Sequence, residues 1–270
     1  MPYSIYRTLT FLILLAALLV PFETRSVCAQ EQNNEPPQEV ETREFEGFIL
    51  AVATVAEREY EVKLSYQGNT LVDEESWIVD PMGSVEILED FPRQGCRTMN
   101  FSIFSGGAHC CTIMYMITLD GENTHVTEVH LENSSMELID IDGDGQWEAN
   151  VIDWSFAYYF LDEDHNLCYA CSPGFARYLV YTDQGWRANA PGEFPQIYMD
   201  TIATQYNEHD AAHAIRLAYY TLMAGGGQDK ARNTLEELLP PEWQDVVDTL
   251  FADIVEAVEG YAPMRVLELE

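Results

Sequence analysis

The chain has 270 residues, with 13 lysines and arginines against 46 aspartates and glutamates, for a net charge of −33. So negative a surface repels nucleic acid, anionic lipid and other polyanions, and excludes functions that coat a phosphate backbone. It attracts cations and basic partners, and with 47% hydrophobic residues the chain can still bury one large core or two modest ones.

Residues 1–29 read as a signal peptide. Arg7 gives a short positive start, and Leu9 to Val20 is an apolar run too short to span a bilayer comfortably. Val27-Cys28-Ala29 supplies small residues before a cut, expected after Ala29. Arg25 stands where a lipoprotein box wants an aliphatic residue. The expected location is therefore secreted or periplasmic, without stable membrane insertion after cleavage. Cleavage removes Arg7, Arg25 and Glu23 and leaves the negative balance intact. Residues 30–44 are polar, carry Pro36-Pro37 and several glutamates, and read as a disordered linker.

From residue 45 to 192 the pattern is β. Tyr60 to Tyr66 alternates apolar and polar residues and is followed by the turn Gln67-Gly68-Asn69. Ser84–Leu88, Thr98–Phe104, Cys111–Leu119 and Val126–Leu131 read as further strands, broken by Gly106-Gly107 and Asp120-Gly121. Ala149–Phe160 and Tyr178–Tyr181 continue the series, with Asp183-Gln184-Gly185 as a hairpin turn. Connections this short favour antiparallel pairing. Trp154, Phe156, Tyr158, Tyr159 and Phe160 would make one strand aromatic; such residues stack sugars or peptides when exposed and fill a core otherwise.

Between two of these strands lies Asp140-Ile141-Asp142-Gly143-Asp144-Gly145-Gln146-Trp147-Glu148. Carboxylates at alternate positions of a tight loop converge on a hard cation such as Ca²⁺. Asp140, Asp142 and Asp144 are the expected ligands, with the Gln146 carbonyl and Glu148 completing the set. An EF-hand would place a bidentate glutamate at the twelfth loop position, where Val151 stands. The bland alternative is a metal-free Asp-Gly hairpin turn.

With the flanking Leu138-Ile139 and Val151-Ile152, the loop resembles the calcium loops of FG-GAP and VCBS-type repeats, which carry Asp-x-Asp-x-Asp-Gly-x-x-Asp/Glu between strands. Ser105-Gly106-Gly107-Ala108-His109-Cys110-Cys111 resembles a segment that precedes such loops in exported bacterial proteins. The resemblance covers residues 96–190. It implies a bound calcium but not a propeller, because FG-GAP propellers need several blades and this chain has one loop.

Export favours disulfides, and the candidates are Cys96, Cys110, Cys111, Cys168 and Cys171, an odd number. Cys168-Tyr169-Ala170-Cys171 has the spacing of a redox dithiol, but its loop context favours a structural bridge. His109, Cys110, Cys111, Cys168 and Cys171 would alternatively collect zinc.

Residues 193–270 change to a helical period. Ile215, Ala218, Tyr219, Leu222 and Met223 share a face, and Gly225-Gly226-Gly227 stops that helix. A short segment precedes Pro240-Pro241. A third helix then carries Trp243, Val246, Val247, Leu250, Ile254, Val255 and Val258 as its stripe. His209 and His213, at i and i+4, would share a zinc on one helix face, with Asp210 where zincins have a glutamate. The sequence has no Gly-x-Ser-x-Gly elbow and no Walker or Rossmann glycine fingerprint.

The expected fold is thus α+β: a mainly antiparallel β domain followed by a small C-terminal helical domain. The expected role is non-enzymatic: a calcium-stabilised exported protein that binds an unknown protein or small-molecule ligand, or serves structurally. The alternatives are a zinc metallohydrolase using His209 and His213, and a thiol oxidoreductase using Cys168 and Cys171.

Overall fold

The structure, a computed structural model, describes residues 39–107, 112–204 and 210–269. It is α+β, with antiparallel strands in three sheets followed by a helical segment. The first sheet is a meander of β1 (Glu39–Phe45), β2 (Phe48–Ala56), β3 (Glu59–Tyr66) and β4 (Asn69–Trp77). The two-residue turn at Gln67-Gly68 holds both residues at positive φ, 51° and 89°, as the twist of a tight hairpin demands. Phe48, Leu50, Val52, Val62 and Leu64 alternate inward. The linker expectation is corrected for residues 39–44, which form β1. Its polar side chains bury almost nothing, but its backbone pairs with β2 in unbroken register from Glu39↔Thr54 to Phe45↔Phe48.

The second sheet contains β5 (Glu86–Glu89), β6 (Arg97–Phe104), β7 (Thr112–Asp120) and β8 (Asn123–Glu132). The third contains β9 (Glu137–Ile139), β10 (Glu148–Asp153), β11 (Phe175–Thr182) and β12 (Gly185–Ala188), in the order β12-β11-β10-β9. The helices are α1 (Pro195–Thr204), α2 (Ala211–Met223), α3 (Gln228–Leu238) and α4 (Val247–Gly260), the last entered through a 3₁₀ turn at Pro241–Val246. The chain then returns to the second sheet as β13 (Met264–Leu267), which pairs with β8.

Each sheet of the middle pair has two apolar faces. Met99, Phe101, Ile103, Tyr115 and Ile117 of the second sheet pack on the first. Its opposite face, with Met116, Val129 and Leu131, packs on Ala149, Val151, Leu179 and Tyr181 of the third. Phe175 and Tyr178 of β11 in turn share a core with all four helices. The result is a stack of sheet, sheet, sheet and helices. A buried polar bolt crosses the last interface. Arg177 donates to the Tyr219 hydroxyl (3.0 Å), the Val258 carbonyl (3.2 Å) and the Asn189 carbonyl (3.0 Å), while Tyr219 donates to Asp153 (2.6 Å). These bonds offset much of the cost of taking the Arg177 charge out of water, although its Nε has no hydrogen-bond partner among the described residues.

The expected strand at 149–160 is also corrected. β10 ends at Asp153, whose carboxylate accepts from the Ser155 N–H (2.8 Å) and starts a turn. The aromatic run after it divides. Phe156 is 2% exposed and packs edge-on against Phe175, whereas Tyr158 and Phe160 are 55% and 67% exposed.

Candidate metal centre

Strands β9 and β10 pair antiparallel with Ile139 opposite Glu148, so residues 140–147 close a hairpin at the edge of the third sheet. Glycines at positive φ make the bend: Gly143 at 76° and Gly145 at 88°. Both turn their N–H groups onto Asp140, at 2.8 and 3.2 Å. The Asp144 N–H bonds Asp142 (3.1 Å), and the Ile141 N–H bonds Glu148 (2.8 Å). Ile141 packs against the helical core and Leu138 against the core between the second and third sheets, so the hairpin is held from both sides. The Trp147 N–H adds a bond to the Pro92 carbonyl (2.7 Å).

Asp140, Asp142 and Glu148 each offer a carboxylate oxygen, and these oxygens lie within 4.8 Å of one another. Three like charges that close repel, most strongly where water is thin. Glu148 is 6% exposed, and burial, joined by the neighbouring Asp142, Asp144 and Asp140, pushes its carboxyl above the usual range against the pull of the Ile141 N–H. The donor set is all oxygen and all anionic, which suits a hard divalent cation and not a soft one.

Asp144 is placed differently from the expected ligand set. Its carboxylate accepts from the Gln146 backbone N–H (2.7 Å) and side-chain amide (3.1 Å), which hold it below its ordinary value, and it is not one of the three converging groups. The Gln146 side chain is thereby occupied by Asp144. The alternation in sequence pointed to the cluster. The anchoring of Glu148 by Ile141 could not be read from it, because a backbone donor leaves no residue signature.

The other sequence candidates lie elsewhere. His109, Cys110, Cys111 and His209 fall outside the described residues. Asp210, which stands where zincins have a glutamate, is a helix cap. Its backbone is extended (φ −129°, ψ 163°), its carboxylate accepts from the His213 N–H (2.7 Å), and α2 opens only after it. His213 is 3% exposed within the first turn of that helix. Cys168 and Cys171 form a disulfide across a 3₁₀ turn at Tyr169–Cys171. Cys96, expected as a disulfide candidate, is a free thiol. It is fully buried between the second and third sheets, and burial raises its thiol above the ordinary value. The Asp162 carboxylate, in the loop after β10, is taken by the His165 ring (2.8 Å).

No family model matches the chain, and no solved structure matches it. It is similar to a protein of Sinorhizobium fredii (strain NBRC 101917 / NGR234) described as "Uncharacterized protein y4bJ", with 33% identity over 113 residues. The match covers 36% of this chain and spans 18% of that protein's length.

Proposed function

We propose that this is an exported, non-enzymatic binding or structural protein whose Asp140–Glu148 hairpin holds a calcium ion. The observation that carries the reading is the convergence of Asp140, Asp142 and Glu148 within 4.8 Å, one of them buried, in a hairpin already shaped by glycine N–H groups. An ion there would cancel repulsion that the folded chain otherwise bears, so it would stabilise the folded state alone. The resemblance to FG-GAP and VCBS-type loops supports calcium over magnesium, as does a donor set with several protein oxygens; magnesium usually keeps most of its waters.

Export and a secreted or periplasmic location rest on residues 1–29, which lie outside the described residues. Among the described residues no helix is long and apolar enough to cross a membrane. The negative surface supports a protein or small-molecule ligand and argues against nucleic acid. The zinc alternative loses support from the commitment of Asp210 to capping α2. The short Cys168–Cys171 bridge closes a loop between strands, a setting that favours a staple over redox exchange.

The deciding measurement is thermal melting in calcium, in magnesium and in chelator, with calorimetric titration of calcium. A saturable one-to-one heat and a calcium-specific rise in melting temperature, both lost in Glu148→Gln, are expected. Identical melting in calcium and chelator would overturn the reading.

A further inference from the structure

A cavity of about 420 Å³ opens where β8, the end of β10 and the last turn of α4 meet. His130 and Glu132 come from β8, Asp153 and Trp154 from the end of β10, and Glu256 and Tyr261 from α4 and its exit. Each wall is held in place. The His130 N–H bonds the Pro263 carbonyl (2.8 Å), which joins β8 to the approach to β13. Asp153 accepts from the Tyr219 hydroxyl (2.6 Å) and the Ser155 N–H (2.8 Å). Trp154 stacks on Tyr169, with 5.5 Å between ring centres and 18° between planes. Gly174 lets the indole in close: a Cβ there would lie 3.4 Å from the Trp154 ring and 2.8 Å from Ile152. The buried Arg177 guanidinium lies 4.9 Å from the centre of the Tyr261 ring. A ligand would therefore meet a site already formed, which lowers the entropy lost on binding.

The lining is negative and otherwise apolar. Glu132 and Glu256 are exposed carboxylates from two separate elements. α4 ends at Gly260, which also lines the cavity, so the negative end of its dipole lies there. Asp153 adds little net charge, because Tyr219 links it to Arg177 (3.0 Å). The His130 ring is engaged by the buried Glu128 (2.7 Å), which also takes Arg265 (2.6 Å). Burial first, then the Asp153 charge, holds the Tyr261 hydroxyl above its ordinary value against the pull of Arg177, and Glu132 adds to the rise. Ile152, Ala257, Ala262 and Pro263 complete the walls around the indole. Among the described residues, three acidic groups converge within 4.8 Å at Asp140, Asp142 and Glu148 and not at this cavity, so its charge is not gathered for a bare metal ion. An ammonium with N–H groups needs acceptors at hydrogen-bond distance on each of them. An alkylated ammonium needs only negative charge nearby and a π face to sit on.

We propose that this cavity binds a small alkylated ammonium ion, with Trp154 as its platform and Glu132 and Glu256 as its counter-charges. The net charge of −33 draws such a cation towards the chain, and the indole and the two carboxylates select it at the cavity. The proposal rests on the binding role argued above and names its ligand class, but it does not depend on the metal. Two solvated carboxylates and one indole make the binding weak and salt-sensitive.

The test is calorimetric titration of the full chain with choline at near-physiological salt, beside dimethylbutanol, its uncharged carbon isostere. Saturable binding of choline is expected, with the isostere weaker by about tenfold or more. Trp154→Leu keeps every charge and should weaken choline about tenfold, the loss of one partly desolvated cation–π contact. Glu132→Gln with Glu256→Gln keeps the indole, and should weaken choline by a similar factor and flatten the salt dependence. These two positions are exposed, so the double variant decides the matter if Trp154→Leu melts early. No binding of choline, equal binding of the isostere, or unchanged affinity in either folded variant would overturn the proposal. Running the titration in calcium and in chelator separates the two readings. Choline binding without any calcium response sinks only the metal, and a calcium response without choline binding sinks only the cavity.

Discussion

The His165 ring meets an acceptor at each nitrogen: the Asp162 carboxylate lies 2.8 Å from Nδ1, and the Glu242 carbonyl lies 2.8 Å from Nε2. A neutral imidazole has one N–H and can satisfy only one of them; the imidazolium satisfies both. Asp162 first, then the Glu242 carbonyl, accordingly raises the folded histidine above its ordinary value. A group bound more tightly by protons in the folded state stabilises fully below its unfolded value, about 6.5, and that contribution is lost as pH rises through the folded value. Melting temperature should therefore carry a step that falls on going from mildly acidic to alkaline pH. The His165→Gln variant should lack the step, and an NMR titration of the ring should show a midpoint above 6.5. Parallel melting profiles for the two proteins would refute the assignment.

Glu148 gives the opposite coupling to metal. Its carboxyl is raised by burial, so without an ion the folded state holds that proton more tightly than the unfolded chain does. The folded state is penalised as pH rises from the ordinary glutamate range through the raised value. Calcium needs the ionised form. The calcium-induced gain in melting temperature should vanish in acid and grow towards neutral pH, reaching about 5–10 °C at a hundredfold excess over Kd. Glu148→Gln should melt no lower than wild type in chelator, because the buried charge is gone, and should show no calcium response. A loss of stability in chelator would contradict the repulsion argument.

Tyr219 links Asp153 to Arg177, and all three are buried. Tyr219→Phe preserves the stack on Phe175 (3.9 Å) while removing the hydroxyl. The expected cost is about 1.5–3 kcal/mol, the range for hydrogen bonds to charged groups. Urea denaturation should show a lower midpoint with unchanged slope. A neutral result would mean that water replaces the hydroxyl.

Asp210→Ala removes the cap of α2 and should cost about 1 kcal/mol, with no change in bound metal. His213→Ala should likewise leave metal content unchanged. Zinc near one per chain in the wild type and absent in His213→Ala would restore the hydrolase reading.

Much of this architecture was legible from pattern alone, and the misses have physical causes. The helix stripe ending at Met223 and the hairpin turn at Gln67-Gly68 follow from periodicity and from backbone conformations open to few residues. The acidic hairpin was legible because carboxylate spacing is a chemical signature. β1 was not, because an exposed strand such as Glu39–Glu44 is held by backbone bonds that polar side chains do not advertise. The break at Asp153 was hidden inside an aromatic run that reads as one strand, though inward and outward rings there serve different surfaces. The inward turn of Asp144 onto Gln146 depends on a local amide, and alternation by itself is blind to that choice.

The return of β13 to the free side of β8 ties residues 264–267 to the second sheet. Arg265 bonds Glu128 across 137 residues of sequence (2.6 Å). During synthesis the open rim of β8 must wait while the third sheet and four helices are made. Its bare amides are meanwhile a template for a neighbouring molecule. A chain ending before residue 264 would leave that rim of β8 unpaired.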